Sequence, residues 1–182
     1  MDLIKLFEAQ RTLDAHIESE HPTLPNENRL NKRILALLVE LGELANEWRG
    51  FKFWSNDQKP RIQVITNNPD KTDKNKPWVI RNLVLEEYVD CLHFLLSIGN
   101  MLNIKKVLPS ALPDEEVLDL FNYLFHHIHL LRDVECQGIH FYSMVFREFV
   151  MLGEKLGFSW EEVEQAYFEK NKTNHERQNT GY

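Results

Sequence analysis

Apolar residues recur along this chain at the three- and four-residue spacing of helices that bury one face. Over residues 2–19, Leu3, Leu6, Phe7, Leu13 and Ile17 share a face, and "HPTLPNEN" then breaks the pattern. The stretch 29–49 follows, closed by Gly50, with Leu38, Leu41, Leu44, Ala45 and Trp48 as its apolar stripe. Residues 79–103 are helical again, with Leu83, Leu92, Leu95, Leu96 and Leu102 on the apolar side. After Pro109 and Pro113, Asp114 is placed to cap a helix that runs to about Cys136. The pattern resumes over 140–156, up to Gly157. "SWEE" then offers a capping box, Ser159 with Glu162, for a last helix ending at about residue 172. Between these elements, residues 55–78 are polar, contain three prolines and show no helical period. They read as a long loop with room for a short hairpin around "IQVI". There is no internal repeat. The expectation is one all-α domain over 1–182, an antiparallel helical bundle with that long polar loop.

Composition sharpens this. Only seven Gly and seven Pro punctuate 182 residues, which favours long helices over many short strands. The formal net charge of -7 argues against nonspecific binding to nucleic acid. No apolar run approaches the roughly 20 residues that span a bilayer, and the N-terminal residues lack the apolar core of a signal peptide. Two cysteines, Cys91 and Cys136, both fall in helical patterns and read as free thiols, so a cytoplasmic setting is expected.

The chemistry begins inside the apolar stripes. Glu40 and Glu43 lie three residues apart on one helix, within about 60° of each other. "LEEYVDCLHFLL" repeats the offset with Glu87 and Asp90, and Glu86 is the neighbour that would replace Glu87 if the helix were rotated. Two such helices facing each other enclose four carboxylates, which repel and resist burial unless a cation joins them. Hard oxygen donors point to Mg²⁺ or Mn²⁺. A di-iron centre needs Glu-x-x-His on two helices, and neither 43–46 nor 87–90 supplies it. The plain alternative is a pair of solvated acidic faces on a helical interaction module. Near the C-terminus, Lys170, Asn174 and Arg177 follow at offsets of four and three, so on a helix they project from one side and suit phosphate oxygens. "HHIH" sets His126 and His129 three apart, but no carboxylate or cysteine falls at matching spacing, so a structural face or a dimer contact is the better reading.

Taken in order, "ELGELANEWRGFKFW", "EEYVDCLHF" and "KNKTNHERQNTGY" resemble the dimeric dUTPases of the all-α nucleoside triphosphate pyrophosphohydrolase superfamily, from about residue 6 to 182. They do not resemble the trimeric all-β dUTPases. The resemblance implies Glu40, Glu43, Glu87 and Asp90 as ligands of Mg²⁺, more than one ion per site. It implies Lys170, Asn174 and Arg177 on the phosphates, with Lys52 of "FKFW" as a further candidate. For the nucleoside it implies Gln10, Trp54 and His93, and it sets Asp14 where the family has Asn. An Asp there can still accept from the N3–H of uracil. The implied reaction is hydrolysis of dUTP, and of dUDP, to dUMP, with Glu40 or Glu43 taking a proton from water. Related superfamily reactions on dCTP or damaged nucleotides are the alternative. A homodimer is also implied, and the segment 114–152 is rich in large apolar residues that could form its interface: Leu118, Phe121, Leu124, Phe125, Phe141, Phe146 and Phe149. Beyond about residue 172 the polar tail is expected to be loose until substrate phosphates order it.

Overall fold

The computed structural model describes residues 3–68, 77–109 and 112–181. Among the described residues six α-helices carry the fold: α1 (Leu3–Glu20), α2 (Arg29–Trp48), α3 (Leu83–Met101), α4 (Val117–Leu130), α5 (Ile139–Lys155) and α6 (Trp160–Asn179). The all-α expectation holds. One small hairpin, β1 (Val64–Asn67) with β2 (Trp78–Arg81), interrupts the helices.

Helix α3 is the hub. It packs against α2, α1, α6 and α5, and it is buried almost all round, from Val84 to Gly99. On α2 the buried stripe is Ile34, Leu37, Leu41 and Leu44, at steps of three and four. Leu38, Ala45 and Trp48 lean on the core from its border. Each fully buried Leu contributes about 1.5–3 kcal/mol relative to exposure, so these two faces fix the α2–α3 pairing. Close packing continues between α3 and α5. A Cβ on Gly99 would lie 2.4 Å from the Tyr142 hydroxyl, which donates to Leu95 O at 2.8 Å.

Several boundaries differ from the sequence reading. Helix α3 begins at Leu83 rather than 79, because Trp78–Arg81 pair with Val64–Asn67 as antiparallel strands and Asn82 caps the helix by accepting from Leu85 N. The hairpin anticipated around "IQVI" thus starts at Val64, while residues 69–76 of the long loop lie outside the described residues. Asp114 does not cap α4. It pairs with Lys155 at 2.6 Å, and Glu116 occupies the cap position without a side-chain bond. Helix α4 stops at Leu130, where Arg132 and Asp133 turn the chain into a single 3₁₀ turn, Val134–Cys136. The capping box is as expected, with Ser159 and Glu162 bonded reciprocally.

Two further expectations are corrected. Helix α6 runs to Asn179, past residue 172, because its polar last turns have partners. His175 Nδ1 lies 2.8 Å from His16 Nδ1 on α1, and Thr173 Oγ1 donates to Glu169 O. Residues 173–179 are therefore helical in this structure. Of the seven apolar residues assigned to an interface, Phe121, Leu124, Phe146 and Phe149 are core residues and Phe141 is partly buried against them, while Leu118 and Phe125 are exposed on α4.

Candidate active site

Four helices each turn one polar stripe toward a common cavity of about 370 Å³. From α1 come Gln10 and Asp14, one turn apart. Helix α2 supplies Arg29, Arg33 and Glu40, and α3 supplies Asp90, His93 and Ser97. Lys170, Asn174 and Arg177 of α6 complete the wall. The spacings of three, four and seven within each set put every stripe on one face of its helix.

At one place the carboxylates converge. One oxygen each from Glu40, Glu87 and Asp90 lies within 4.8 Å of the others, and among the described residues this is the one group of three or more potential metal ligands. Burial, then the charges of Asp90 and Glu43, push the Glu40 carboxyl up to about 7, with Lys170 opposing. Burial also pushes Glu87 up to about 7, assisted by Asp90, Glu43 and Glu40 and again opposed by Lys170. Burial raises Asp90 too, against the Lys170 ammonium 2.5 Å from its Oδ2 and the charge of Arg177. Three carboxylates whose charged forms burial disfavours, with Asp90 adding its charge against both glutamates, fit a hard divalent cation, which offsets that cost. Glu43 is exposed at the edge: it acts on Glu40 and Glu87 through its charge but is not part of the converging set. Glu86 is out of the cluster, because its carboxylate holds Arg81, whose Nε donates to Glu86 Oε1 at 2.8 Å.

A second network lies on α1, α3 and α6. Gln10 Nε2 donates to Asp14 Oδ1 at 2.9 Å, and Ser97 Oγ donates to the same oxygen at 2.8 Å. A carboxylate only accepts, so the Gln10 amide oxygen must face the other way. There it accepts from the Tyr167 hydroxyl at 3.0 Å and meets His93 Nδ1 at 2.8 Å. Nδ1 therefore carries the proton. The His93 ring stacks on Tyr167 with centroids 4.2 Å apart, and burial first, then Lys170, lower its pKa to about 3, so it is neutral at ordinary pH.

The remaining candidates lie elsewhere. Arg49 ends α2 in a left-handed conformation and donates to Asp57 O at 2.7 Å, which shapes the loop carrying Lys52 and Trp54. Lys52 Nζ reaches Asn46 Oδ1, Trp54 is 64% exposed against the edges of Phe51 and Phe53, and neither lines the cavity. His126 and His129 are exposed and belong to no ligand set among the described residues, while their neighbour His127 pairs with Glu148 at 2.9 Å. Arg33, Ser97 and Tyr167 were not anticipated. The signal for Arg33 was present, seven residues before Glu40 on the same helical face, and Ser97 stands in the same relation to Asp90.

A family model described as dUTPase matches residues 2–68 and 71–182, nearly the whole chain. The chain belongs to the dUTPase family. Its activity is that of a dUTP diphosphatase; the family is generally dependent on a divalent metal, and Glu40, Glu87 and Asp90 form an acidic cluster that could hold such an ion. Among curated proteins, none matches the chain. No helix among the described residues is long and apolar enough to cross a membrane.

Proposed function

We propose that this single-domain dUTPase hydrolyses dUTP, and also dUDP, to dUMP with release of pyrophosphate or phosphate, as a cytoplasmic homodimer dependent on Mg²⁺ or Mn²⁺. One observation carries the reading: Glu40 of α2, Asp90 of α3 and the Lys170, Asn174 and Arg177 stripe of α6 border one cavity with Gln10, Asp14 and His93. Metal-ligating carboxylates, cationic side chains and a hydrogen-bonding wall in one place suit a metal-bound polyphosphate with a base attached.

Glu40, Glu87 and Asp90 would hold the cation, with Glu43 adding charge at the border. When bound, the metal supplies charge neutralisation for the phosphates and acidifies water. Glu40 is the proposed proton acceptor for the attacking water, because it is in both the cluster and the cavity wall, whereas Glu43 is in neither. Lys170 and Arg177 stabilise charge that grows on the phosphoryl oxygens, and Asn174 fixes their orientation. Arg177 already bonds Asn174 Oδ1 at 3.4 Å, so the two act as one unit. Asp14 accepts from the N3–H of uracil, with Gln10 holding it in place. Lys52 and Trp54 would join only through movement of their loop. The test is product release across dUTP, dUDP, dCTP, dTTP and UTP with Mg²⁺. Preference for the two deoxyuridine nucleotides supports the proposal, and equal or greater turnover of dCTP contradicts it.

A further inference from the structure

Lys170 stands between two groups that compete for it. Its ammonium lies 2.5 Å from Asp90 Oδ2, and its charge draws down the carboxyls of Glu40 and Glu87 as well. On α6 the residue shares a face with Asn174 and Arg177, and all three line the cavity with Glu40 and Asp90. One flexible cation thus reaches the carboxylate cluster from the side that would meet the phosphates. The side chain is 28% exposed, and its four-carbon stem can swing without any shift of the helix. An ammonium and a divalent cation on the same carboxylate repel, and a half-buried site screens that repulsion poorly.

We propose that Lys170 serves Asp90 as an internal counter-ion which the divalent cation displaces, and that the released ammonium moves to the substrate phosphates. Metal and phosphoanion then favour each other through one side chain. The anion draws Lys170 off Asp90, and the metal replaces it there. This rests on the reading of Glu40, Glu87 and Asp90 as a metal site, and adds an antagonist that the ligand set does not contain.

The test needs no turnover. Mg²⁺ alone is titrated calorimetrically into the full chain and into K170M, K170Q and K170R, each checked for native helicity and melting. Binding of dUMP is measured separately in EDTA. The expected result is Mg²⁺ affinity at least tenfold higher in K170M and K170Q, near wild type in K170R, and dUMP binding weakened several-fold in the two neutral variants only. Neutral variants that bind Mg²⁺ equally or more weakly overturn the proposal, since Lys170 would then support Asp90 rather than compete for it. Should K170M not fold, K170Q gives the same readout. Absence of Mg²⁺ binding in every protein, wild type included, would remove the metal reading itself, whereas measurable but equal binding removes only the role of Lys170.

Discussion

Ser97 donates its hydroxyl to Asp14 Oδ1 across 2.8 Å, tying α3 to α1 in the wall of the cavity. The same oxygen takes Gln10 Nε2 at 2.9 Å and has Arg33 at 3.9 Å, so one edge of Asp14 is spent on the protein. Ser97 is 2% exposed, and its loss leaves a charged acceptor short of a partner. A hydrogen bond to a charged group contributes about 1.5–3 kcal/mol. Ser97→Ala should therefore raise KM for dUTP about tenfold and leave kcat within a factor of about three, because Asp14 loses its anchor while the carboxylate cluster keeps its geometry. Steady-state kinetics checks this, and an unchanged KM would remove Asp14 from substrate binding.

Glu86 and Glu87 are adjacent yet differently employed, one on Arg81 and the other in the cluster. Magnesium should raise the melting temperature of the protein, since a ligand at 100 times its Kd adds about 3 kcal/mol. Glu86→Gln should retain that rise, and Glu87→Gln should lose most of it. Calorimetric melts with Mg²⁺ and with EDTA would show it, and the reverse ranking would mean that the helix presents the other face.

His93 gives the protein a pH dependence of defined sign. Its folded-state pKa is about 3, below the ordinary 6.5 of an unfolded chain. Between those values the unfolded state binds a proton and the folded state does not, so stability is lost as pH falls through this window. Two pH units below 6.5, the loss is on the order of 3 kcal/mol. Glu40 and Glu87, raised to about 7, have the opposite slope between 4.5 and 7. They are present in both proteins when wild type is compared with His93→Gln. The stability advantage of wild type over the variant should shrink by about this amount between pH 7.5 and 4.5. Urea denaturation at the two pH values measures it, and a constant difference would mean that the imidazole is not held neutral.

Leu118 and Phe125 on α4 are 48% and 37% exposed, and Leu35 and Val39 on the neighbouring α2 are 63% and 50% exposed. Large apolar residues exposed on two neighbouring helices suit an interface. The wild-type chain is expected to be a homodimer at micromolar concentration by light scattering, and Leu118→Asp with Phe125→Asp should give a folded monomer. A monomeric wild type would contradict this.

Much of the molecule could be read before its structure. Periodicity located the six helices, and the paired offsets of Glu40 with Glu43 and Glu87 with Asp90 marked the two helices that meet. What stayed hidden depends on partners distant in sequence. The strand Trp78–Arg81 reads as the start of a helix until Val64–Asn67 pairs with it. The last turns of α6 look like a polar tail until His16 and the cavity wall hold them. Counting apolar residues could not separate core from interface on α4. One face carries Phe121 onto the Trp48 ring, 5.2 Å between centroids, and another carries Leu118 and Phe125 into solvent. Asp14 illustrates the limit within the site. Its identity was plain, but only Ser97 and Gln10 show which of its edges remains for a ligand.

The central claim is that the α2–α3 carboxylates perform the chemistry on dUTP. Glu40→Gln tests it most directly, because the amide keeps the shape and helix propensity of the side chain but removes its charge and its proton-accepting role. Turnover of saturating dUTP is measured at saturating Mg²⁺, on protein whose circular dichroism and melting match the wild type. The expected result is a fall of at least about 100-fold in kcat. Turnover within a factor of about three of wild type by the folded variant would contradict the claim.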